Sequence, residues 1–532
     1  MTLPRHSTGV AVAPHALASR SAQSVLRDGG NAIEAMVAAA ATIAVVYPHM
    51  NGIGGDSFWL LGTPKANSLI SHGIDASGAA ARAISPASYD GQPRIPFRGG
   101  QSAITVAGTI SGWEQALAYS RAHWQGTLPL SRLLADAIHY ARDGILTTAS
   151  QYRNTVAKRD ELLSVAGFAD TFLINGAAPA TNSLFRQPRL AFTLERLVAD
   201  GLDSFYRGDL AQDIASDLAH CGSPLNIADL QTHHVRHVQP LSLHHTLGTL
   251  YNMPPPSQGL VSLMILGLMD RLGASHMDPL GADFVHLAVE AAKQAFTIRD
   301  AHIGDPRCLR SDPASFLRPA ALDAMAARID MRQAAPWNQG KGPADTVWMG
   351  VMDHAGRSVS MIQSIYHEFG SGLVLPTTGI NWQNRGASFS LDKHHINALA
   401  PGKHPFHTLN PAMARLDDGR TMVYGTMGGD GQPQTQSAVF ARTVLHGWTP
   451  QAAIDAPRWL LGRTWGQQSD TLKLENRFPA ATVQQLAARG HDIEMRDAYD
   501  EAFGHAGCLI RQADGRFYGG ADPRSDGSVA WV

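Results

Sequence analysis

Thr346-Val-Trp-Met-Gly-Val-Met352, Asp353-His-Ala-Gly356 and Ser358-Val-Ser-Met-Ile-Gln-Ser-Ile365 read as two apolar, β-branched strands around a tight turn, a hairpin. The residues before it, 331–345, are polar and carry Pro336, Gly340, Gly342 and Pro343, a composition that predicts an exposed, flexible linker. A threonine that opens a strand after such a linker is ordinary in itself. Its functional reading is a chain that cuts itself between Asp345 and Thr346, freeing an α-amine beside a hydroxyl. A terminal amine titrates near ~7.7–8.0, so it serves as the hydroxyl's own general base without a His or Asp partner.

Upstream of that junction the pattern is mostly helical. Asn31 and Glu34 form a capping box before an Ala-rich segment, 33–46, that is apolar nearly all round and predicts a buried helix. Gly29-Gly30 closes the preceding helix, and Ser111 with Glu114 reads as a second capping box. Leu133, Leu134, Ala137, Ile138 and Ala141 recur at helical spacing up to Gly144, and Phe284, Leu287, Ala288 and Ala291 repeat the pattern. Residues 57–61, 68–74 and 238–251 read as strands. Met253-Pro-Pro-Pro-Ser-Gln-Gly259 predicts a rigid chain reversal rather than a polyproline ligand. The division is therefore 1–345, helix-rich, and 346–532, strand-rich.

Composition narrows the function. The chain has 532 residues, a formal net charge of −2 and 17% charged residues. It is large enough for a substantial core and lacks the basic footprint of a nucleic-acid binder. Its longest apolar run, 35–47, is shorter than the ~20 residues that span a bilayer. The N-terminal stretch does not read as an export signal, and three scattered cysteines (Cys221, Cys308, Cys508) do not make a disulfide scaffold, so a cytoplasmic setting is expected. There is no Gly-x-Ser-x-Gly elbow and no Walker A lysine. His233 and His237 have helical metal-pair spacing without an intervening Glu, and they read as solvated connection histidines. Neither a metal nor an organic cofactor is implied.

Motifs in order along the chain decide between the readings of Thr346. Gly30-Asn-Ala-Ile-Glu-Ala35, Tyr47-Pro-His-Met-Asn-Gly-Ile-Gly-Gly-Asp56, Val106-Ala-Gly-Thr-Ile-Ser-Gly-Trp113 and Met253–Gly259 lead to Arg299-Asp300 with Gly304-Asp-Pro306. Asp345-Thr346, Phe369-Gly-Ser-Gly372, Thr426-Met-Gly-Gly429, Ala456-Pro-Arg458 and Ala521-Asp-Pro-Arg524 follow. The set resembles the γ-glutamyltranspeptidase family of N-terminal-nucleophile hydrolases over nearly the whole chain. The resemblance implies an α+β fold, a four-layer αββα sandwich, made as one precursor that cuts itself into a large (1–345) and a small (346–532) subunit. A pair of such heterodimers is compatible with it.

The same resemblance implies site residues. Thr346 falls on the nucleophile, and Ser364 on a hydroxyl that hydrogen-bonds it. Gly428 and Gly429 fall where backbone N–H groups hold the oxyanion. The substrate-binding positions depart from the family. Ser77 stands in place of the Arg that holds an α-carboxylate, and Ser388 in place of the Asp that holds an α-amine. His407 and Thr408 replace paired serines, and Tyr366 replaces an Asn. Arg385 is a new cation in that block, suited to a two-pronged grip on a carboxylate. Tyr366 and Trp348 are expected to restrict the site, and the lid segment 392–405 is short. The expected substrate is a small anionic amide, and the chain is most similar to the branch of the family that hydrolyses oxamate to oxalate and ammonia in purine degradation. The alternatives are a γ-glutamyl hydrolase or transpeptidase acting on glutathione-like donors, a glutaryl-type acylase, and an uncleaved, inactive relative.

Overall fold

Thirteen strands build two antiparallel sheets: β1 (Gly9–Ala13), β2 (Asp56–Lys65), β3 (Ser68–Ala76), β4 (Arg236–Val238), β5 (Leu241–His245), β6 (Gly248–Asn252), β7 (Asp345–Asp353), β8 (Ser358–Tyr366), β9 (Ala412–Leu416), β10 (Thr421–Gly425), β11 (Gly507–Arg511), β12 (Phe517–Ala521) and β13 (Ser528–Trp531). One sheet runs β13-β1-β7-β8-β2-β3-β4 and the other β12-β11-β10-β9-β6-β5. This computed structural model describes residues 7–66, 68–337, 345–462 and 469–532, with Asp345 described by its backbone only.

Side-chain alternation makes four layers out of these sheets. Val10, Val12, Phe58, Leu60, Trp348, Met352 and Ile362 face the second sheet and meet Met413, Val423 and Leu509 there. Their neighbours Ala11, Trp59, Leu61, Val347, Met349 and Val351 point the other way, into a core shared with α1 (Ala16–Arg27) and α2 (Ala32–Val46). The outer face of the second sheet packs Leu250, Ala414, Met422 and Cys508 against α4 (Gly259–Arg271), α5 (Ala282–His302) and α6 (Gly431–Phe440). α3 (Thr109–Tyr119) covers β2 and β3. The architecture is the expected αββα sandwich. Both parts of the chain enter both sheets, so 1–345 and 346–532 are interleaved rather than side by side.

Several local expectations meet their physical reasons here. α2 is buried at every position, and Asn31 and Glu34 exchange both capping bonds. Gly144, at φ +97°, ends the helix over Ala135–Asp143, which is separated from Leu130–Leu133 by a break at Leu134. Ser111 is not a cap. α3 starts two residues earlier, and the Ser111 hydroxyl turns back to donate to the Gly108 carbonyl. After Met253 the proline run reverses the chain, with Ser257 Oγ donating to the Leu409 carbonyl at 2.5 Å.

Residues 331–337 of the expected linker are exposed to half-buried, as expected, and are held by specific contacts. Ala334 N–H donates to the Arg489 carbonyl, Lys293 Nζ holds the Ala335 carbonyl, and Trp337 packs against Phe296. Buried α5 side chains thus fix the approach to the junction. Residues 338–344 of that linker, and 1–6 of the N-terminal stretch, lie outside the described residues. Among the described residues no helix is long and apolar enough to cross a membrane.

Candidate functional site

Thr346 lies on the central strand β7, two residues before Trp348, so both side chains face the layer between the sheets. It is fully buried, and its Oγ1 donates to Ser364 Oγ at 3.3 Å. A bulge in β8 between Gln363 and Tyr366 shifts the register where Ser364 must meet Thr346. On the other side Ser364 pairs in register with Asp56, the first residue of β2. Thr346, Ser364 and Asp56 therefore form a row across three strands at one end of the inter-sheet layer. Gly55 makes the row possible, because a Cβ there would lie 2.1 Å from the Ser364 carbonyl oxygen.

Arg385 completes the row from a short 3₁₀ turn, Arg385–Ser388. The turn is pinned by Asn384, whose side chain accepts from His367 N–H and donates to the Phe97 carbonyl. Arg385 is fully buried and stacks over the Tyr366 ring at 4.1 Å. Tyr366 reaches that position with φ +83°, a left-handed conformation rare for a non-glycine residue. One guanidinium nitrogen donates to Ser364 Oγ at 3.4 Å, while Nε and Nη1 have no partner among the described residues. No described carboxylate lies within the 4.0 Å of an ion pair. Burial pushes Arg385 down to about 10, with Tyr366 and Asp56 pulling the other way. Arg385 is thus neither a surface arginine nor half of a resident salt bridge.

Gly428, at φ +111°, and Gly429, at +49°, form the turn after β10, in backbone conformations that favour glycine. Neither N–H donates to an acceptor among the described residues. Gln258 ties this turn to the neighbouring predicted position, its amide donating to the Gly429 and Thr408 carbonyls at 2.9 Å each. Asp430 follows the turn and is paired with the buried Arg299 at 2.6 Å. Tyr366, Ser388, Thr408, Phe406 and Asp430 line one cavity of about 300 Å³.

The remaining sequence-derived positions divide. Ser388 borders the cavity and donates to the Phe406 carbonyl. His407 is fully buried beside Asp56, its Nε2 3.6 Å from Asp56 Oδ2. Ser77 is buried and bonds His404 at 3.2 Å, and it does not line the cavity. Trp348 is not in the cavity either. Its ring fills the inter-sheet core over Gly425, so of the two residues expected to restrict the site only Tyr366 lines the cavity. Sequence reasoning passed over Gln258 and Asp56 as functional residues. Both sit inside quoted motifs, and only the tertiary fold brings Asp56 beside Ser364 and Gln258 to Gly429 and Thr408.

The histidine reading is corrected in part. His233 is buried and shares a 2.8 Å hydrogen bond with Ser111, and His245 is also buried. Among the described residues, ligand atoms of His286, Glu290 and His491 lie within 4.8 Å of one another. Those groups already have protein partners. The two imidazoles share a 2.8 Å bond, His286 also meets the Asp330 carbonyl, and Glu290 holds Lys293.

Comparison with known proteins adds to this geometry. The family model for gamma-glutamyltranspeptidase matches residues 18–532. The chain is 58% identical to the oxamate amidohydrolase proenzyme of Klebsiella pneumoniae, over 98% of each chain. It is 38% identical to the glutathione hydrolase-like YwrD proenzyme of Bacillus subtilis, again over 98% of each. Among solved structures, cephalosporin acylase from Bacillus halodurans superposes with a TM-score of 0.89 at 32% identity, covering 100% of this chain and 98% of the acylase.

Proposed function

The chain belongs to the gamma-glutamyltranspeptidase family, and from that premise we propose that it is an N-terminal-threonine amidohydrolase whose preferred substrate is oxamate. It is made as one precursor that gives a large and a small subunit. The cut falls between Asp345 and Thr346, separating 1–345 from 346–532. The freed amine of Thr346 takes the proton from Oγ1 as that oxygen attacks the amide carbonyl. The N–H groups of Gly428 and Gly429 receive the developing oxyanion, and Ser364 orients the hydroxyl. The amine returns its proton to the departing ammonia. Water then cleaves the threonyl ester, releasing the dicarboxylate.

Arg385 carries the substrate assignment. A fully buried guanidinium with two unpartnered nitrogens and no carboxylate in ion-pair contact is costly unless a ligand completes it. The carboxylate of a small amide does so beside Thr346, and Tyr366, His407 and Thr408 close around it. Ser388 borders the cavity on the Tyr366 side without the charge that would hold an α-amine, and Ser77 is bonded to His404, which does not line that cavity. The 58% identical Klebsiella protein is an oxamate amidohydrolase proenzyme, which supports the same substrate. A cytoplasmic setting belongs to this proposal and agrees with three free cysteines.

Ammonia release by the matured enzyme tests it. Oxamate should exceed a γ-glutamyl anilide in kcat/KM by at least about 100-fold, and the reverse order overturns the assignment. The cavity of about 300 Å³ favours one second reading, an acylase for longer dicarboxylic monoamides such as glutaryl compounds, because a two-carbon amide does not fill it. Glutaramate turning over faster than oxamate selects that reading.

A further inference from the structure

We propose that Asp56 is held ionised by the field of Arg385 without an ion-pair contact, and that a carboxylate ligand entering the site converts it to its neutral acid, whose Oδ2–H then turns to His407 Nε2 and closes the present 3.6 Å separation to a hydrogen bond. The proposal rests on the anionic-substrate reading above and adds a proton, taken from solvent, to the binding step.

Three observations carry it. Asp56 is fully buried in register with Ser364, so its carboxyl shares the row that holds the nucleophile. Its two oxygens are used differently. Oδ1 accepts the N–H groups of Gly78 and Gly108 at 3.0 Å each, whereas Oδ2 has no hydrogen-bond partner and faces His407 Nε2 at 3.6 Å. The clamp on Oδ1 is tight, since a Cβ on Gly108 would stand 2.1 Å from the Ala76 carbonyl oxygen. Both ring nitrogens of His407 are likewise unpartnered, and the ring is held edge-on to Phe58 at 5.0 Å. One locked carboxylate oxygen, one open oxygen and an imidazole with a free acceptor nitrogen make a place for a single proton.

The charges around the pair explain when that proton arrives. Arg385 is the cation facing Asp56 from the turn after β8, and the Gln383 amide and the Tyr206 hydroxyl also face it. The Tyr366 hydroxyl faces Arg385, and in the matured enzyme the Thr346 amine joins the row. His404, Arg236 and Arg385 act on His407 and, with burial, keep it neutral. Burial pushes Asp56 up to about 7 even against Arg385. A second carboxylate placed on Arg385 removes that pull and adds a like charge, so Asp56 gains its proton.

Calorimetric titration of the matured enzyme with oxalate, the unreactive product, in phosphate and in Tris at pH 8 measures proton exchange directly. The wild type should take up about one proton per oxalate, and its affinity should fall by up to about tenfold per pH unit above pH 7. Asp56→Asn keeps the acceptor for Gly78 and Gly108 but cannot titrate. It should lose the uptake and flatten the slope, with KM for oxamate changing more than kcat. Uptake by the Asn variant equal to that of the wild type overturns the proposal, as does oxalate binding by the wild type without proton exchange. If the variant does not fold, the wild type alone decides. A protonated-carboxyl C=O band in its oxalate-bound infrared difference spectrum supports the assignment, and the absence of that band overturns it. Failure of both oxamate and oxalate to bind sinks the substrate reading as well, whereas binding without a proton sinks only the role of Asp56.

Discussion

Arg524 and Arg385 are both fully buried, and they sit in opposite circumstances. Arg524 meets Glu475 through Nε at 2.6 Å and Nη2 at 2.8 Å, meets Asp522 through Nη1 at 3.0 Å, and also donates to the Ile454 and Ala456 carbonyls. Its carboxylates hold it above the usual arginine range against the effect of burial. Arg385 has a tyrosine face and one long bond to a hydroxyl, and burial drives it down. Arg442 stands between them. It is buried and pushed down to about 9, and like Arg385 it leaves Nε and Nη1 without a partner, but its Nη2 donates to the Pro279 and Pro457 carbonyls, whereas that of Arg385 donates to Ser364, the partner of Thr346. A buried cation whose fork is filled belongs to the framework. One whose fork is left open next to a nucleophile is a position for a ligand.

The contrast breaks or sharpens under substitution. Thr346→Ala sets the baseline: mass spectrometry should find only the intact 56.9 kDa precursor, with no ammonia released. Two fragments meeting before residue 346 would remove the nucleophile assignment on which both arginines are read. Arg524→Met should cost about 3–5 kcal/mol in urea unfolding, because Glu475 and Asp522 stay buried with only Arg477 and Arg458 to answer them. Any folded fraction should keep the wild-type KM. Arg385→Met should do the converse, raising KM for oxamate about 100-fold, roughly 2.7 kcal/mol, while the precursor still matures and unfolds no earlier. If its stability falls as far as that of Arg524→Met, Arg385 is framework and the distinction fails. Arg385→Lys keeps the charge without the fork, and a KM about tenfold above wild type is expected in steady-state assays. Ser77→Ala should move KM less than about twofold, since its hydroxyl is committed to His404; a larger rise would bring Ser77 back into contact with substrate.

Much of this was legible in the sequence where the physics is local. The hairpin of β7 and β8, the capping box at Asn31 and the helix stop at Gly144 depend on neighbours within a few residues, and all three are present. Ser111 misled because a serine inside a first turn and a serine at its cap look alike in sequence and differ only in where the helix begins. The state of each arginine was not legible. Arg524 finds Glu475 across 49 positions of chain, and Arg385 has no ion-pair partner among the described residues because the turn that carries it is held away from their carboxylates. Asp56 was quoted as the end of a glycine motif, and its meaning depends on a cross-strand register with Ser364, more than three hundred residues away. The polar segment 331–337 read as loose because its anchors are two buried side chains of α5 and a stretch near residue 489.

The place of β7, third of seven strands, decides what kind of chain end the proposed cut before Thr346 would create. Ordinary termini fray at a periphery and must be immobilised before they can act. This one begins where β7 is already paired with β8, with Val347 and Met349 already seated against α2. On that proposal its amine would begin life at a fixed address, with little ordering entropy left to be lost when substrate arrives.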